Sequence, residues 1–311
     1  MPPGGESCYT PAMDSPKNPT IENPIVGVNL PGTPDPELNS KRLSAFKQDG
    51  FDAIEVSLDS FPLIIDGEPC QPWIQYLGTL LREFPFRYSA HIGRGLDLRD
   101  LRNIAKHRAV LKHSIDICAR LRLSPLVLHY EVQSRNLEVE KVFLEEHRKA
   151  AAYAGDQGVL LVVENIEVEW VDPVIELVAT VGSPHLRLAF DTGHAFLAAH
   201  YFKFDFLEAF KKSLPYLGHF HLSDNTGVFE ELRITDRPTY DALPMGWRYE
   251  YGRGDIHLPP YWGKIPYDEL FRLAASYRGM FICEYYSERF LPFNGDIQKK
   301  VRERILTGRG Q

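Results

Sequence analysis

Eight short runs of β-branched or apolar residues recur after Pro24, and longer amphipathic segments separate most of them. Segments such as 101–121 and 138–154 repeat apolar residues every three or four positions, which is typical of helices. Parallel strands need a crossover helix between them, so the alternation predicts βαβ units. The runs cover residues 25–30, 51–57, 86–92, 125–130, 159–165, 186–191, 217–224 and 280–286. Eight such units in roughly 280 residues predict a (β/α)8 TIM barrel, with a doubly wound sheet as the alternative.

The chain divides into a tail and one domain. Residues 1–24 are rich in Pro, Gly, Ser and Asn without periodicity, which predicts a disordered N-terminal tail. Residues 25–311 are expected to form a single barrel domain with an inserted loop at about 225–254. Long loops in compact domains are usually functional, so we expect a lid or binding loop, with an oligomer contact as the alternative.

Composition narrows the class of protein. The chain has 311 residues, of which 44% are hydrophobic and 25% charged, and a formal net charge of −7, as expected of a soluble globular protein. Apolar runs are too short for a membrane helix, and the N-terminus does not resemble a secretory signal. Four dispersed cysteines, without a CxxC pair, favour a reducing, cytoplasmic setting. The acidic balance makes nucleic acid an unlikely partner.

Polar residues occupy the C-terminal ends of six predicted strands, where barrel enzymes carry their active sites. Imidazoles and carboxylates that converge there are typical ligands of a divalent cation such as Zn, Mn, Co or Mg. These side chains are His91, His129, Glu164, Asp191, His221 and Glu284. Each of these residues taken singly has a structural explanation, but six of them at the C-terminal ends of six strands together predict a metal site.

Further residues extend this cluster. His194 follows Asp191 by three positions, and Asp255 and His257 form a DxH pair. Residues i and i+2 of an extended segment point the same way, so the pair is suited to gripping one ion. His219, two residues before His221, is expected to support the ligands or bind substrate.

Several of these motifs resemble the xylose isomerase-like barrels, a superfamily of sugar isomerases and epimerases that also includes the endonuclease IV class of abasic-site endonucleases. The resemblance covers about residues 25 to 290, in the order VVEN, AFDTGHA, HFHLSDNTG, GRGDIHLPPYWGKIPYDEL and ICEYY. It implies a metal-binding quartet, with both glutamates also moving protons: Glu164, Asp191, His221 and Glu284. The endonuclease branch implies additional metal ligands at His91, His129, His194, Asp255 and His257. One to three divalent ions per chain are therefore expected.

The favoured hypothesis is a metal-dependent isomerase or epimerase acting on a sugar, sugar phosphate or polyol. Proton abstraction beside a carbonyl needs a base and a Lewis acid, and Glu164 and Glu284 would supply the proton transfer. Candidate substrate-binding residues are His219, Trp247, Arg253 and Lys264, with Tyr249 and Tyr251 joining Trp247 over the ligand. His194 is a further candidate for contacting substrate hydroxyls.

Two alternatives remain open. A multi-metal phosphodiester hydrolase acting on abasic DNA fits the full ligand complement, although the acidic balance disfavours it. The second alternative is a non-enzymatic barrel that binds a sugar or metal without turnover. A homo-oligomer is compatible with the sequence in each case.

Overall fold

The computed structural model describes residues 23–93 and 95–310, and there all eight predicted runs form strands of one closed parallel barrel. A separate antiparallel pair, formed by residues Ile64–Ile65 and Glu68–Pro69, follows the second barrel strand. The strands are β1 (Ile25–Leu30), β2 (Ala53–Ser57), β3 (Ile64–Ile65), β4 (Glu68–Pro69), β5 (Arg87–Ile92), β6 (Leu126–His129), β7 (Leu161–Glu164), β8 (Leu186–Asp191), β9 (Leu217–Leu222) and β10 (Met280–Cys283). Around the barrel they follow the order β1-β10-β9-β8-β7-β6-β5-β2, which confirms the predicted (β/α)8 TIM barrel.

Helices follow the barrel strands, and most of them pack around the barrel, whereas short helices between residues 232 and 251 lie in the inserted loop. They are α1 (Pro36–Gln48), α2 (Gln71–Arg82), α3 (Ile104–Leu121), α4 (Leu137–Asp156), α5 (Asp172–Val181), α6 (Thr192–Phe202), α7 (Phe206–Ser213), α8 (Leu232–Thr235), α9 (Arg237–Ala242), α10 (Met245–Tyr251), α11 (Tyr267–Leu273) and α12 (Asn294–Gly310). None of the described helices is long and apolar enough to cross a bilayer.

Successive side chains of a strand point to opposite faces, so each barrel strand buries one set of side chains against the helices and another set inside the barrel. On β9, Phe220 and Leu222 belong to the main apolar core between barrel and helices. The alternate residues His219 and His221 are also fully buried, but they lie on the barrel's inner face and meet the inward carboxylate of Glu55. The outer face of the barrel therefore holds the apolar core, and its interior accommodates polar groups.

The inserted loop is partly helical, which its sequence pattern did not predict. It contains α8, α9 and α10, each too short to show a helical period in the sequence. Asp236 caps α9 by accepting a hydrogen bond from the Thr239 amide, and Gly252, whose φ is 57°, is the C-cap of α10. Residues 1–22, which make up most of the predicted tail, lie outside the described residues.

Candidate metal centre

Four side chains from neighbouring strands meet at the C-terminal mouth of the barrel. Glu164, Asp191 and His221 are each the last or nearly the last residue of β7, β8 and β9, and Glu284 directly follows β10. The Nδ1 atom of His221 lies 3.3 Å from Oε1 of Glu164 and 3.0 Å from Oε2 of Glu284. One ligand atom from each of the four residues lies within 4.8 Å of the others, a spacing that suits a single cation.

Unsatisfied polar atoms show that a cation fits this quartet. Oε1 of Glu164, Nδ1 of His221 and Oε2 of Glu284 are buried without a hydrogen-bond partner. Buried polar groups of this kind are normally paired, because desolvation without a partner is costly. Carboxylate oxygens together with an imidazole nitrogen form a ligand set for Mn, Zn, Co or Mg ions.

Glu164 also takes part in a second group of candidate ligands. The Nε2 atoms of His91 and His129 lie 3.1 Å and 3.5 Å from its Oε2 atom. One ligand atom from each of these three residues also lies within 4.8 Å of the others. The two oxygens of Glu164 therefore face two different ligand groups. Burial lowers the pKa of His129 to about 4, which keeps this imidazole in its neutral, ligating form.

His194, Asp255 and His257 form a third group. Oδ2 of Asp255 lies 3.5 Å from Nε2 of His194 and 2.9 Å from Nε2 of His257. Each histidine donates a hydrogen bond from Nδ1 to a backbone carbonyl, that of Asn165 for His194 and that of Glu284 for His257. These bonds fix the tautomer that leaves Nε2 free as a ligand atom.

The carboxylate of Asp191 is held from several sides. The hydroxyl of Ser223 lies 3.0 Å from both of its oxygens, and the His194 amide donates to Oδ1 at 2.6 Å. Asn165 pairs with the backbone of Asp191 through both ends of its amide. The strand end is therefore rigidly placed, and Asp191 also serves as the N-cap of α6.

Glu55 on β2 completes the centre, and the sequence analysis missed it. Its carboxylate lies 2.9 Å from Nε2 of His219 and 3.0 Å from Nε2 of His221, and it accepts a hydrogen bond from Ser89. A carboxylate that pairs with the far nitrogen of a ligating histidine orients that ring. The sequence signal that could have identified Glu55 is a charged residue at an inward-facing position of an otherwise apolar strand run.

The charge balance within the quartet favours a bound cation. Burial alone would raise the pKa of Glu164, but His221, His194 and His91 hold it well below its usual range. Burial raises the pKa of Asp191 to about 7, aided by the Glu164 and Glu284 charges and against the attraction of His194. The charges of Glu164 and Glu284 therefore disfavour ionisation of Asp191, and a divalent ion at the quartet would relieve this repulsion.

A cavity of about 970 Å³ opens above these ligands, and the inserted segment forms much of its wall. Glu284 and the histidines of the second and third groups line the cavity, together with Arg233 and Arg237. Tyr240 and Arg248 of the insertion line it as well. This volume is in the range of sites for small molecules.

The four residues predicted to bind substrate lie elsewhere, because none of them lines this cavity. His219 is fully buried in the barrel interior beside Glu55. Trp247 packs on Tyr251 at 5.0 Å, and Arg253 pairs with Glu230. Lys264 is exposed on the surface. Arg248, between Trp247 and Tyr249, is buried in α10 and lines the cavity together with Met245 of the same helix.

Comparisons with known proteins support a common fold. The sequence model described as xylose isomerase-like TIM barrel matches residues 43–306. No curated protein is significantly similar in sequence. A xylose isomerase-like TIM barrel protein from Mycobacterium smegmatis, in complex with magnesium, is 17% identical with a TM-score of 0.66, covering 92% of this chain and 98% of that chain.

Two sugar epimerases have similar structures. The 3-keto-D-glucoside 4-epimerase from E. coli is 14% identical with a TM-score of 0.63, covering 90% of this chain and 99% of that chain. The D-allulose 3-epimerase from Methylomonas sp. is 16% identical with a TM-score of 0.64, covering 92% and 98%. At such identities the similarity demonstrates a shared fold.

Proposed function

The chain belongs to the xylose isomerase-like TIM barrel family, and we propose that it is a divalent-metal-dependent isomerase or epimerase of a sugar, sugar phosphate or polyol. One observation carries this proposal: the quartet of Glu164, Asp191, His221 and Glu284 lies beneath a cavity of about 970 Å³ that the inserted helices wall in. A walled cavity of this size suits a single small substrate. Sugar epimerases among the similar structures support the same chemistry.

Glu284 is the better placed of the two glutamates to move a proton. It lines the cavity, and its side chain is 15% exposed, whereas that of Glu164 is 1% exposed. Burial raises the pKa of Glu284, but the charge and hydrogen bond of His221 together with the charge of His257 lower it below its usual value, so the group is an ionised base at neutral pH. We assign the first proton transfer to Glu284 and a second to Glu164.

A divalent cation held by the quartet would supply a Lewis acid that stabilises negative charge on a substrate oxygen. Asp191 and His221 would hold the ion without facing the cavity themselves. The insertion would exclude water from the proton transfer, because Tyr240 and Arg248 close one side of the cavity.

A second candidate function is supported by the three ligand groups. Glu164 belongs to two of them, and the third contributes His194, Asp255 and His257. Two or three ions at such a centre suit hydrolysis of a phosphodiester, since the ions would activate water and stabilise the leaving oxygen. The net charge of −7 and the walled cavity favour a small sugar over a DNA duplex.

Isotope exchange separates the two functions. Metal-loaded protein incubated in deuterated water with D-allulose, D-fructose or D-tagatose should incorporate deuterium at a carbon beside the carbonyl, as measured by NMR. Glu284→Gln should abolish exchange, whereas Glu288→Gln, on the wall of the same cavity, should preserve it. Glu164-dependent cleavage of an abasic duplex, without exchange on any ketose, would overturn the isomerase in favour of the hydrolase.

A further inference from the structure

A second cavity, of about 800 Å³, lies at the N-terminal mouth of the barrel, on the face opposite the metal centre. Its floor and walls come from the first residues of several strands, including Ile25 of β1, Tyr88 of β5 and Met280 of β10. Five arginines also line it: Arg82, Arg87, Arg120, Arg122 and Arg278. We propose that this cavity binds a phosphorylated small molecule with an aromatic ring, of the nucleoside diphosphate class.

Positive charge in this cavity is not compensated by the protein. No carboxylate side chain lines it, and within residues 23–93 and 95–310 none of the five guanidinium groups forms an ion pair. Arginines elsewhere behave differently, since Arg99 and Arg108 form two-pronged pairs with Glu140 and Glu146. Arg82 and Arg120 donate only to the neutral side chains of Thr79 and Gln71 among the described residues. Five guanidinium groups without a carboxylate partner around one concave site form a site suited to an anion.

Helix capping explains only part of this cluster. Arg82 and Arg120 lie in the last turns of α2 and α3, where a cation also stabilises the helix dipole. Arg87 is on β5, and Arg278 precedes β10, so neither is in a helix. Among the described residues, the side chain of Arg278 donates to the backbone carbonyls of Ala275 and Tyr277 and to no carboxylate. A helix-dipole role therefore does not account for the convergence on one cavity.

An apolar wall faces the arginines. Phe84 and Phe86 stack at 6.1 Å between ring centroids, and Tyr88 meets Phe86 edge-on at 6.3 Å. All three rings line the cavity. Aromatic faces beside guanidinium groups suit a ligand that combines a planar ring with phosphate, because the ring stacks while Arg forms two-pronged bonds to phosphate oxygens.

A buried polar atom also lies at this cavity. His219, which is fully buried, contributes to its lining, and the Nδ1 atom of His219 has no hydrogen-bond partner among the described residues. Its Nε2 atom is engaged with Glu55. The imidazole is fully buried, so this nitrogen lies behind the cavity surface, and the arginines and aromatic rings are the groups that a ligand would contact.

Calorimetric titration tests the proposal with ADP, pyrophosphate and adenosine as probes. ADP should bind once per chain, and more tightly than either fragment, because only ADP engages both the arginines and the rings. The double variant Arg87→Ala, Arg122→Ala should weaken ADP binding at least tenfold. Both side chains are exposed and unpaired, so the variant should fold normally, which thermal melting checks.

Control variants locate the binding. Arg289→Ala removes an exposed guanidinium from the cavity of the metal centre, and it should change ADP affinity less than twofold. Arg148→Ala, on the outer surface of α4, should be equally neutral. Absence of binding by ADP and pyrophosphate at millimolar concentration would overturn the proposal. Binding that survives the double variant but is lost in Arg289→Ala would overturn it as well.

Discussion

Glu55 and His221 form a pair across the barrel, with Oε1 of Glu55 3.0 Å from Nε2 of His221 although β1 and β10 separate their strands. The contact turns the opposite nitrogen of His221 toward Glu164 and Glu284. Burial raises the pKa of Glu55, but His221 and His219 hold it well below its usual range, so Glu55 is ionised. A carboxylate in this position orients a ligating imidazole and increases its basicity.

Replacing Glu55 should therefore weaken metal binding. In Glu55→Gln the ring of His221 loses an ionised partner, and we expect affinity for Mn²⁺ to fall by roughly 10- to 100-fold. Metal titration of the purified variant measures the change. Glu37→Gln, an exposed residue of α1, is the matched control and should bind normally. Unchanged affinity in Glu55→Gln would show that His221 needs no such support.

Replacing Glu164 should remove more metal ions than replacing His257. Two ligand groups share Glu164, whereas His257 belongs to one. We expect Glu164→Ala to lose the ions of both its groups and all turnover, and His257→Ala to lose only one ion. Elemental analysis gives ions per chain. Circular dichroism should show that both variants keep the fold, since Glu164 lies at a strand end and His257 in the connection between α10 and α11. A Glu164→Ala protein with wild-type metal content and activity would refute the metal assignment.

The insertion should act through Arg248 and not through Trp247. Arg248 lines the cavity, with its Nε atom buried and without a partner, whereas Trp247 packs against Tyr251 outside it. Arg248→Ala should raise KM about tenfold, the effect of losing one charge-assisted hydrogen bond. Trp247→Ala should change KM by less than about twofold from the wild-type value, because no hydrogen bond to the substrate would be lost. Steady-state kinetics with the ketose that undergoes exchange provides the measurement, and equal effects of the two variants would contradict the lid role.

Removing residues 228–250 as a block should also raise KM or lower turnover, because the cavity would lose a wall. The ions held by the quartet should remain bound, since none of its members lies in that segment. Full activity combined with a changed oligomeric state, measured by light scattering, would identify the insertion as an assembly element.

His147 on α4 should make folding stability depend on pH. Burial lowers its pKa to about 4 from the ordinary 6.5, while Nδ1 donates to the carbonyl of Phe143. Between these values the unfolded chain binds a proton that the folded chain does not, so the unfolding free energy falls as pH drops from 6.5 toward 4. The loss amounts to roughly 3 kcal/mol at most. Denaturant unfolding of His147→Gln should show a shallower slope than wild type, and identical slopes would exclude this role.

The barrel and most of the metal centre follow from local patterns in the sequence. Each strand run alternates inward and outward residues, so the core face and the strand ends could be located before any tertiary contact was known. That is why His91, His129, Glu164, Asp191 and His221 were expected at one mouth of the barrel, where the structure brings them together. Closure of eight parallel units makes their C-terminal ends converge.

Only the tertiary structure decided which other residues reach the centre. Glu55 belongs to it because barrel closure brings β2 opposite β9, which nothing within either strand specifies. In the insertion, Arg248 faces the cavity whereas neighbouring Trp247 does not. Helices α8 to α10 are too short for a period of 3.6 to reveal a buried face, and their orientation depends on contacts between segments distant in sequence. Local periodicity therefore determines the scaffold and its strand ends, while long-range packing determines which side chains of the loops meet the ligand.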